Sequence, residues 1–393
     1  MTPTNSNMNR RKWLKSGALL TGGLTFLPGA WNKLAAFSPS AGTPGFNSCS
    51  ADQAFALNAP PELKARLFAN ENPFGPGDKA KKAVADALSG SYMYPFMTVR
   101  ELQKKICDTE GVRETQMMMA AGSSPVLLAA AMYFARNGGN VISGDPSYDD
   151  LPDKAKQFNA TLVKVPLTPD YKLDLDAMEK KIDGNTSLIY ICNPNNPTAT
   201  VLDPDKLKAF CERVSPKVTI FLDEAYIDYL DDPKSYSMVD CVRKGMNVIV
   251  ARTFSKLHGF AGLRVGYAMG QPELINKLEN YTNGDMCISV TSASAALSSY
   301  GDADYLKNAL QKTIASKEFL YKTLKEEGYE YIPSAANFVM FPLKMDGNRF
   351  VQEMMKRGVG IRNWKMNGKD WCRVSIGRMD EMQAFAEAFK QLS

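Results

Sequence analysis

Between residues 140 and 269 short apolar runs recur, at 141–142, 161–165, 187–192, 218–222, 247–250 and 265–269, with segments of helical period such as 125–136 ahead of the first run and 205–214 between two of them. An apolar run without polar alternation is the pattern of a strand buried on both faces, and helices between such strands supply the crossovers of a parallel sheet. The pattern therefore predicts an α/β fold with a mostly parallel sheet covered on both sides. Beyond residue 302 it changes: long helices at 303–327 and 349–357 and short strands at 338–341 and 372–376 predict a smaller α+β domain. Residues 37–60, rich in Pro, Gly, Ser and Ala without periodicity, read as a linker. The expected organisation is a leader at 1–36, the linker at 37–60, an N-terminal arm and part of the small domain at 61–96, a large domain at 97–301 and the small domain at 302–393.

Composition adds an exclusion. With 393 residues, 45% of them hydrophobic and 23% charged, the chain can bury a large core. Its net charge of +5 hints at an acidic partner until the charges are located. Five of the 47 basic residues lie in 1–36, where there is no acid, and the rest of the chain carries 42 of each sign. The basicity belongs to the leader, so nucleic-acid binding loses its compositional support. That leader reads NRRKWLK at 9–15, followed by a glycine-containing apolar stretch at 17–27 that is too short to span a bilayer. It resembles a twin-arginine export signal, which implies a periplasmic destination and no membrane insertion once it is removed. If the leader does not function, the protein stays in the cytoplasm. No clean cleavage site follows it, and Cys49 sits in a poor lipobox. The seven cysteines are scattered without metal-ligand spacing, and the single histidine, His258, excludes a multi-histidine metal site.

Three polar clusters directly follow three of the apolar runs: NPNNPT at 193–198, DEAY at 223–226 and TFSK at 253–256. Open parallel sheets bind ligands at the carboxyl ends of their strands, so the clusters can share one crevice. Lys256 can form a Schiff base with a carbonyl, and Thr253, Ser255 and Arg264 offer the donors that a phosphate needs. Gly122, Ser123 and Ser124 precede an apolar helix expected to begin at Val126, with Ser124 as N-cap and Pro125 in the first helical position, which makes a second phosphate cradle. Asp223 can hold a ring nitrogen protonated, Asn196 and Tyr226 can hydrogen-bond a ring oxygen, and Tyr148 can stack on a planar ring. Each motif also has a purely structural reading as a turn, a cap or a surface charge, and only their convergence favours chemistry.

Taken together, NENPFGP (70–76), YP (94–95), NPNNPT, DEAY, SKLHGFAGLR (255–264) and RVSIG (373–377) resemble the fold-type I, class I/II aminotransferases that use pyridoxal 5'-phosphate, most of all the histidinol-phosphate aminotransferases. The resemblance runs from about residue 70 to the C-terminus. It implies that Lys256 carries the cofactor, that Asp223 pairs with its ring nitrogen, and that Asn196 and Tyr226 hold its ring oxygen. Ser123, Ser255 and Arg264 would bind its phosphate, while Tyr94 would reach the phosphate of a neighbouring subunit, which implies a homodimer with shared active sites. Arg373 would grip a substrate carboxylate, Arg362 a substrate phosphate, and Asn337 would lie near the substrate. Two positions depart from the pattern: Ala199 replaces a glycine, and Ser124-Pro125 stand where the phosphate loop usually has acidic or amide residues. The expected reaction moves an amino group between an amino acid, or a histidinol-phosphate-like amine, and a 2-oxo acid. A decarboxylase or lyase on the same scaffold is the alternative, and a non-catalytic cofactor-binding protein a distant third. Histidinol phosphate is an intracellular metabolite whereas the leader points to the periplasm, so the reaction type is better founded than the substrate.

Overall fold

The computed structural model describes residues 63–393; the leader, the linker and Cys49 lie outside the described residues. The strands are β1 Ala65–Arg66, β2 Met117–Ala120, β3 Asn140–Asp145, β4 Thr161–Pro166, β5 Thr186–Cys192, β6 Thr219–Asp223, β7 Val248–Thr253, β8 Gly266–Met269, β9 Phe338–Pro342, β10 Val359–Gly360, β11 Arg362–Met366 and β12 Lys369–Ser375. Seven of them form one sheet in the order β2-β8-β7-β6-β5-β3-β4. β3, β4, β5, β6 and β7 pair in parallel, as their unbroken apolar runs require, while β8 is antiparallel to both β2 and β7. The connection from β7 to β8 contains no helix to carry the chain back across the sheet, so β8 returns in the opposite direction.

The helix Ser124–Ala135 starts earlier than its sequence suggests. Its N-cap is Ser123, whose side chain makes no capping bond, and Ser124 and Pro125 both lie inside the first turn. Proline is compatible with that turn because its missing N–H has no helical partner there in any case. Ser124 is therefore a first-turn residue and not the cap. One glycine brings this helix to the sheet: a Cβ on Gly266 would lie 2.5 Å from the Gly122 carbonyl carbon and 2.6 Å from the Ser123 nitrogen. Only a residue without a side chain lets β8 pass so close beneath the loop.

The C-terminal region holds a three-stranded antiparallel sheet, β11-β12-β9, with β12 in the middle. The helices Ala303–Glu326, Gly347–Lys356 and Met379–Phe389 accompany it. Its core is aromatic: Phe389 is fully buried, with ring centroids of Tyr329, Phe385, Phe341 and Phe350 at 4.9, 5.3, 5.6 and 6.0 Å. β1 pairs with β10 in parallel, and Ser375 donates its backbone N–H to Leu67 O at 2.9 Å. These bonds tie the segment at 65–70 to the small sheet and deliver Asn70 to the mouth of the large one. Among the described residues no helix is long and apolar enough to cross a membrane, and no group of three or more His, Cys, Asp or Glu is placed to hold a metal ion.

Candidate active site

The three polar clusters do meet, because β5, β6 and β7 are adjacent and end together: Cys192 is in register with Asp223, and Asp223 with Ala251. Lys256 lies three residues past the end of β7. Its Nζ donates to Asn70 O at 3.2 Å and stands 5.1 Å from the centre of the Tyr226 ring. Burial, with help from the Arg373 charge, lowers its pKa from 10.5 to about 8, against the opposing pull of Asp223. A substantial fraction of the amine is therefore neutral near physiological pH, as a nucleophile or proton acceptor must be. Asp223 is 2% exposed, and burial raises its pKa to about 6 although Tyr190, Ala225 and Lys256 all favour its charged form. A desolvated carboxylate of this kind is suited to a protonated ring nitrogen, which would supply the charge that burial withholds.

A cluster of anion donors lies beside it. Arg264, in left-handed backbone (φ 57°), directs Nη1 at Ser255 Oγ (3.1 Å) and Ala261 O (3.0 Å), and Ser255 Oγ accepts from Thr253 Oγ1 at 2.9 Å. The Arg264 guanidinium lies over Gly122 (φ 86°), so close that a Cβ there would meet its Cζ at 2.7 Å. Ser123 occupies the N-cap position of the adjacent helix without a side-chain capping bond, and the first amides of that helix have no partner within it. Guanidinium, hydroxyls and helix amides together form a fitting seat for a phosphate. Ser124 accompanies them from within the first turn.

Arg373, 2% exposed on β12, is near enough to Lys256 for its charge to act on the amine. Its Nη1 donates to Asn196 Oδ1 at 2.6 Å and its Nη2 to Phe68 O at 2.8 Å, and its guanidinium carbon is 4.5 Å from the Trp364 ring and 5.3 Å from that of Phe338. The bond to Oδ1 fixes the Asn196 amide so that Nδ2 is the end able to donate to a ring oxygen. Tyr226 is set in the same way: its hydroxyl accepts from Asn70 Nδ2 at 3.1 Å and keeps its own proton to give, while burial raises its pKa above the ordinary phenol value. Arg362 is in register with Arg373 and also lies over Trp364, at 4.8 Å. Two arginines thus lie against one tryptophan ring. Tyr148 is partly exposed, and its hydroxyl titrates above the usual range because of desolvation and nearby Asp150 and Asp223.

Asn337 is near the site without facing it through its donors. Its Nδ2 holds the carbonyl oxygens of Asn70 and Glu71, both at 3.1 Å, so it braces the backbone on which Lys256 rests. Tyr94 is 69% exposed, with its ring against Phe96, and is not gathered into this cluster. His258 lies behind the lysine loop, 2.8 Å from Ser299 Oγ and 4.5 Å from the Phe254 ring, and burial lowers its pKa to about 4. Two residues of the site have no role assigned from the sequence. Asn70 bonds Ser375, Tyr226 and, through its carbonyl, Lys256, and its signal was the NENPFGP motif. Tyr190, whose hydroxyl donates to Asp223 Oδ2 at 3.0 Å, is hidden in an apolar strand.

These residues fit pyridoxal phosphate: an amine of lowered pKa for the aldehyde, a buried carboxylate for the ring nitrogen, donors for the ring oxygen and a cradle for the phosphate. When bound, the cofactor supplies a carbonyl for amine exchange and a ring that withdraws electrons from the substrate Cα.

Comparison with known proteins agrees. A family model for aminotransferase class I and II matches residues 64–389. A histidinol-phosphate aminotransferase of Caldicellulosiruptor saccharolyticus is 32% identical over 332 residues, covering 84% of this chain and 92% of that one. An aromatic amino acid aminotransferase of Mycolicibacterium vanbaalenii is 35% identical over 320 residues, 81% of this chain and 90% of that one. The solved histidinol-phosphate aminotransferase of Sinorhizobium meliloti, in complex with pyridoxal-5'-phosphate, shares the fold with a TM-score of 0.80 at 24% identity, over 91% of this chain and 100% of that one. With the family matched over most of its length and a site suited to the family's cofactor, this chain belongs to the class I and II aminotransferases and is a pyridoxal-phosphate-dependent aminotransferase.

Proposed function

We propose that the enzyme moves the amino group of an amino acid, or of a histidinol-phosphate-like amine, to a 2-oxo acid, with Lys256 carrying the cofactor and then serving as the base. The observation that carries this reading is the burial of Lys256 Nζ, 3.2 Å from Asn70 O and 5.1 Å from the Tyr226 ring, where it feels the charges of both Asp223 and Arg373 and its pKa is lowered to about 8. Arg373 binds the substrate carboxylate and thereby directs Cα toward Lys256 Nζ. Nζ, neutral once displaced, takes the proton from Cα. Asp223 keeps negative charge beneath the reacting system, and Asn196 and Tyr226 hold the ring oxygen. Thr253, Ser255, Arg264, Gly122 and Ser123 anchor the phosphate end, with Ser124 beside them, and Tyr148 stacks on the ring.

Two classes of donor are supported. Relatives named for histidinol phosphate and for aromatic amino acids match at similar identity, and Arg362 beside Arg373 offers a cation to a second anionic group on the substrate. A panel of glutamate, aromatic amino acids and histidinol phosphate, each added to the cofactor-loaded protein, tests both. Conversion of the cofactor to its amine form with one class names the donor. Release of carbon dioxide in its place transfers the assignment to a decarboxylase.

The exposed row Tyr92, Met93, Tyr94, Phe96 and Met97 supports a homodimer in which Tyr94 reaches the phosphate of the other subunit. Sedimentation at micromolar concentration tests it, and a monomer with full activity overturns it. The paired arginines Arg10-Arg11 before an apolar stretch support twin-arginine export to the periplasm. Substituting both by lysine must then retain the protein in the cytoplasm; equal periplasmic abundance refutes the route.

A further inference from the structure

The Asp223 carboxylate has a neighbour that neither the motifs nor the proposed reaction uses. Tyr190 is on β5, two residues before Cys192, and is fully buried. Its ring is 6.0 Å from that of Phe221, its register partner on β6. Leu188, Phe221 and Val141 belong to the same apolar cluster, and for packing alone a phenylalanine would serve. A phenol in such a place leaves a costly polar group unless it finds a partner. It finds one: the hydroxyl donates to Asp223 Oδ2 at 3.0 Å, while Oδ1 accepts the backbone N–H of Ala225 at 3.1 Å. Both carboxylate oxygens are thereby tied, one from the neighbouring strand and one from the turn after β6, and the plane of the group is set.

We propose that Tyr190 is a positioning residue for the cofactor ring: its hydroxyl holds Asp223 ionised and orients its carboxylate toward the ring nitrogen. The proposal rests on the assignment of Asp223 as partner of that nitrogen. The physical case is direct. A hydrogen bond donated to the charged form of an acid favours that form, and Asp223 needs the help because burial raises its pKa to about 6. Among the influences that favour its charged form, the Tyr190 bond is the largest. Without it the carboxyl takes up a proton closer to neutral pH, and a protonated carboxyl no longer pairs with a cationic ring.

Tyr190→Phe keeps the ring and removes only the donor. In the full-length protein without added cofactor, the Asp223 titration is followed by infrared difference against Asp223→Asn. Its midpoint is expected to rise by about one pH unit in Tyr190→Phe. The dissociation constant for pyridoxal phosphate, measured by equilibrium dialysis, is expected to rise roughly twofold at neutral pH and to approach tenfold near about pH 5, as the ionised fraction of Asp223 falls. A core residue without this role would leave the Asp223 midpoint where it is, so an unchanged midpoint with unchanged cofactor affinity overturns the proposal. Should Tyr190→Phe fail to fold, replacement of tyrosine by 3-fluorotyrosine, a more acidic phenol of nearly the same shape, must move the midpoint downward, and no movement overturns it. Failure of the underlying assignment looks different: Asp223→Asn would bind the cofactor as the unsubstituted protein does.

Discussion

Gly122→Ala isolates the phosphate seat from the rest of the fold. The substitution has two consequences that the geometry separates. At φ 86° an alanine is in backbone that L-residues avoid, which costs about 1–2 kcal/mol of stability. The new methyl also meets the Arg264 guanidinium, 2.7 Å from Cζ. Because that guanidinium is the far end of a flexible side chain, it swings away instead of breaking the fold, and the phosphate loses a charged hydrogen-bond donor worth about 1.5–3 kcal/mol. The expected result is a folded protein whose dissociation constant for pyridoxal phosphate rises roughly 10- to 150-fold. Urea unfolding without cofactor gives the first quantity and fluorescence titration with pyridoxal phosphate the second. Arg264→Gln is expected to lose similar affinity, and the double variant little more than either single one, since both act on one contact. Wild-type cofactor affinity in Gly122→Ala, or full additivity in the double variant, would refute the reasoning.

Three further outcomes follow from particular residues. Because the Lys256 pKa is lowered from 10.5 to about 8, capture of pyridoxal phosphate by the cofactor-free protein should rise with pH through an inflection near 8. At pH 7 its neutral fraction is roughly 300 times that of an unperturbed lysine. The stability linkage has a definite sign: between about pH 8 and 10.5 the unfolded chain holds more protons than the folded one, so the protein gains stability with rising pH relative to Lys256→Met. An inflection near 10.5 in the capture rate contradicts the burial. Phe389→Ala empties the centre of the small aromatic core and should cost about 3–5 kcal/mol in urea unfolding; a loss under about 1 kcal/mol would mean the cluster does not act as a core. Ala199, fully buried at φ 58°, carries strain of about 1–2 kcal/mol. Replacing it by glycine relieves that strain but removes a buried methyl worth about 0.8 kcal/mol and adds chain entropy, so Ala199→Gly should shift the melting temperature by only about 2–4 °C. A fall well beyond that would show that methyl packing outweighs the strain.

The large sheet was readable because parallel strands buried on both faces leave unbroken apolar runs, and β5, β6 and β7 each stand close to their expected bounds. The motifs at their carboxyl ends were readable for the same reason: strand order brings such ends together whatever the detailed packing. Direction and boundary were harder. β8 reads as one more apolar run, and nothing in residues 265–269 announces that it turns antiparallel. The start of the helix at Ser124 was displaced because Ser123 and Ser124 have equal capping chemistry, and the close passage of Gly266 beneath them is a tertiary fact. β2, with four apolar residues, and β11, with mixed polarity, were too short or too irregular for a period to show. Within the site, Lys256, Asp223, Asn196 and Arg373 are gathered as expected, whereas Asn337 spends its donors on the Asn70 and Glu71 backbone. The roles of Asn70, already within NENPFGP, and of Tyr190 were not legible because their partners lie far along the chain: Ser375 is 305 residues from Asn70, and Asp223 is 33 from Tyr190.

The proposed role of Lys256, as carrier of the cofactor and then as the base for amino transfer, can be measured in a single turnover. The most direct measurement is a single-turnover titration of the purified, cofactor-loaded protein with amino donors, followed by visible absorbance and by quantitation of the 2-oxo acid formed. One donor class is expected to convert the lysine-bound cofactor to its amine form with one equivalent of 2-oxo acid per site, and Lys256→Ala, still folded, is expected to show neither the initial absorbance nor turnover. Turnover retained by Lys256→Ala, or no spectral change in the unsubstituted protein with any donor in the panel, would contradict it.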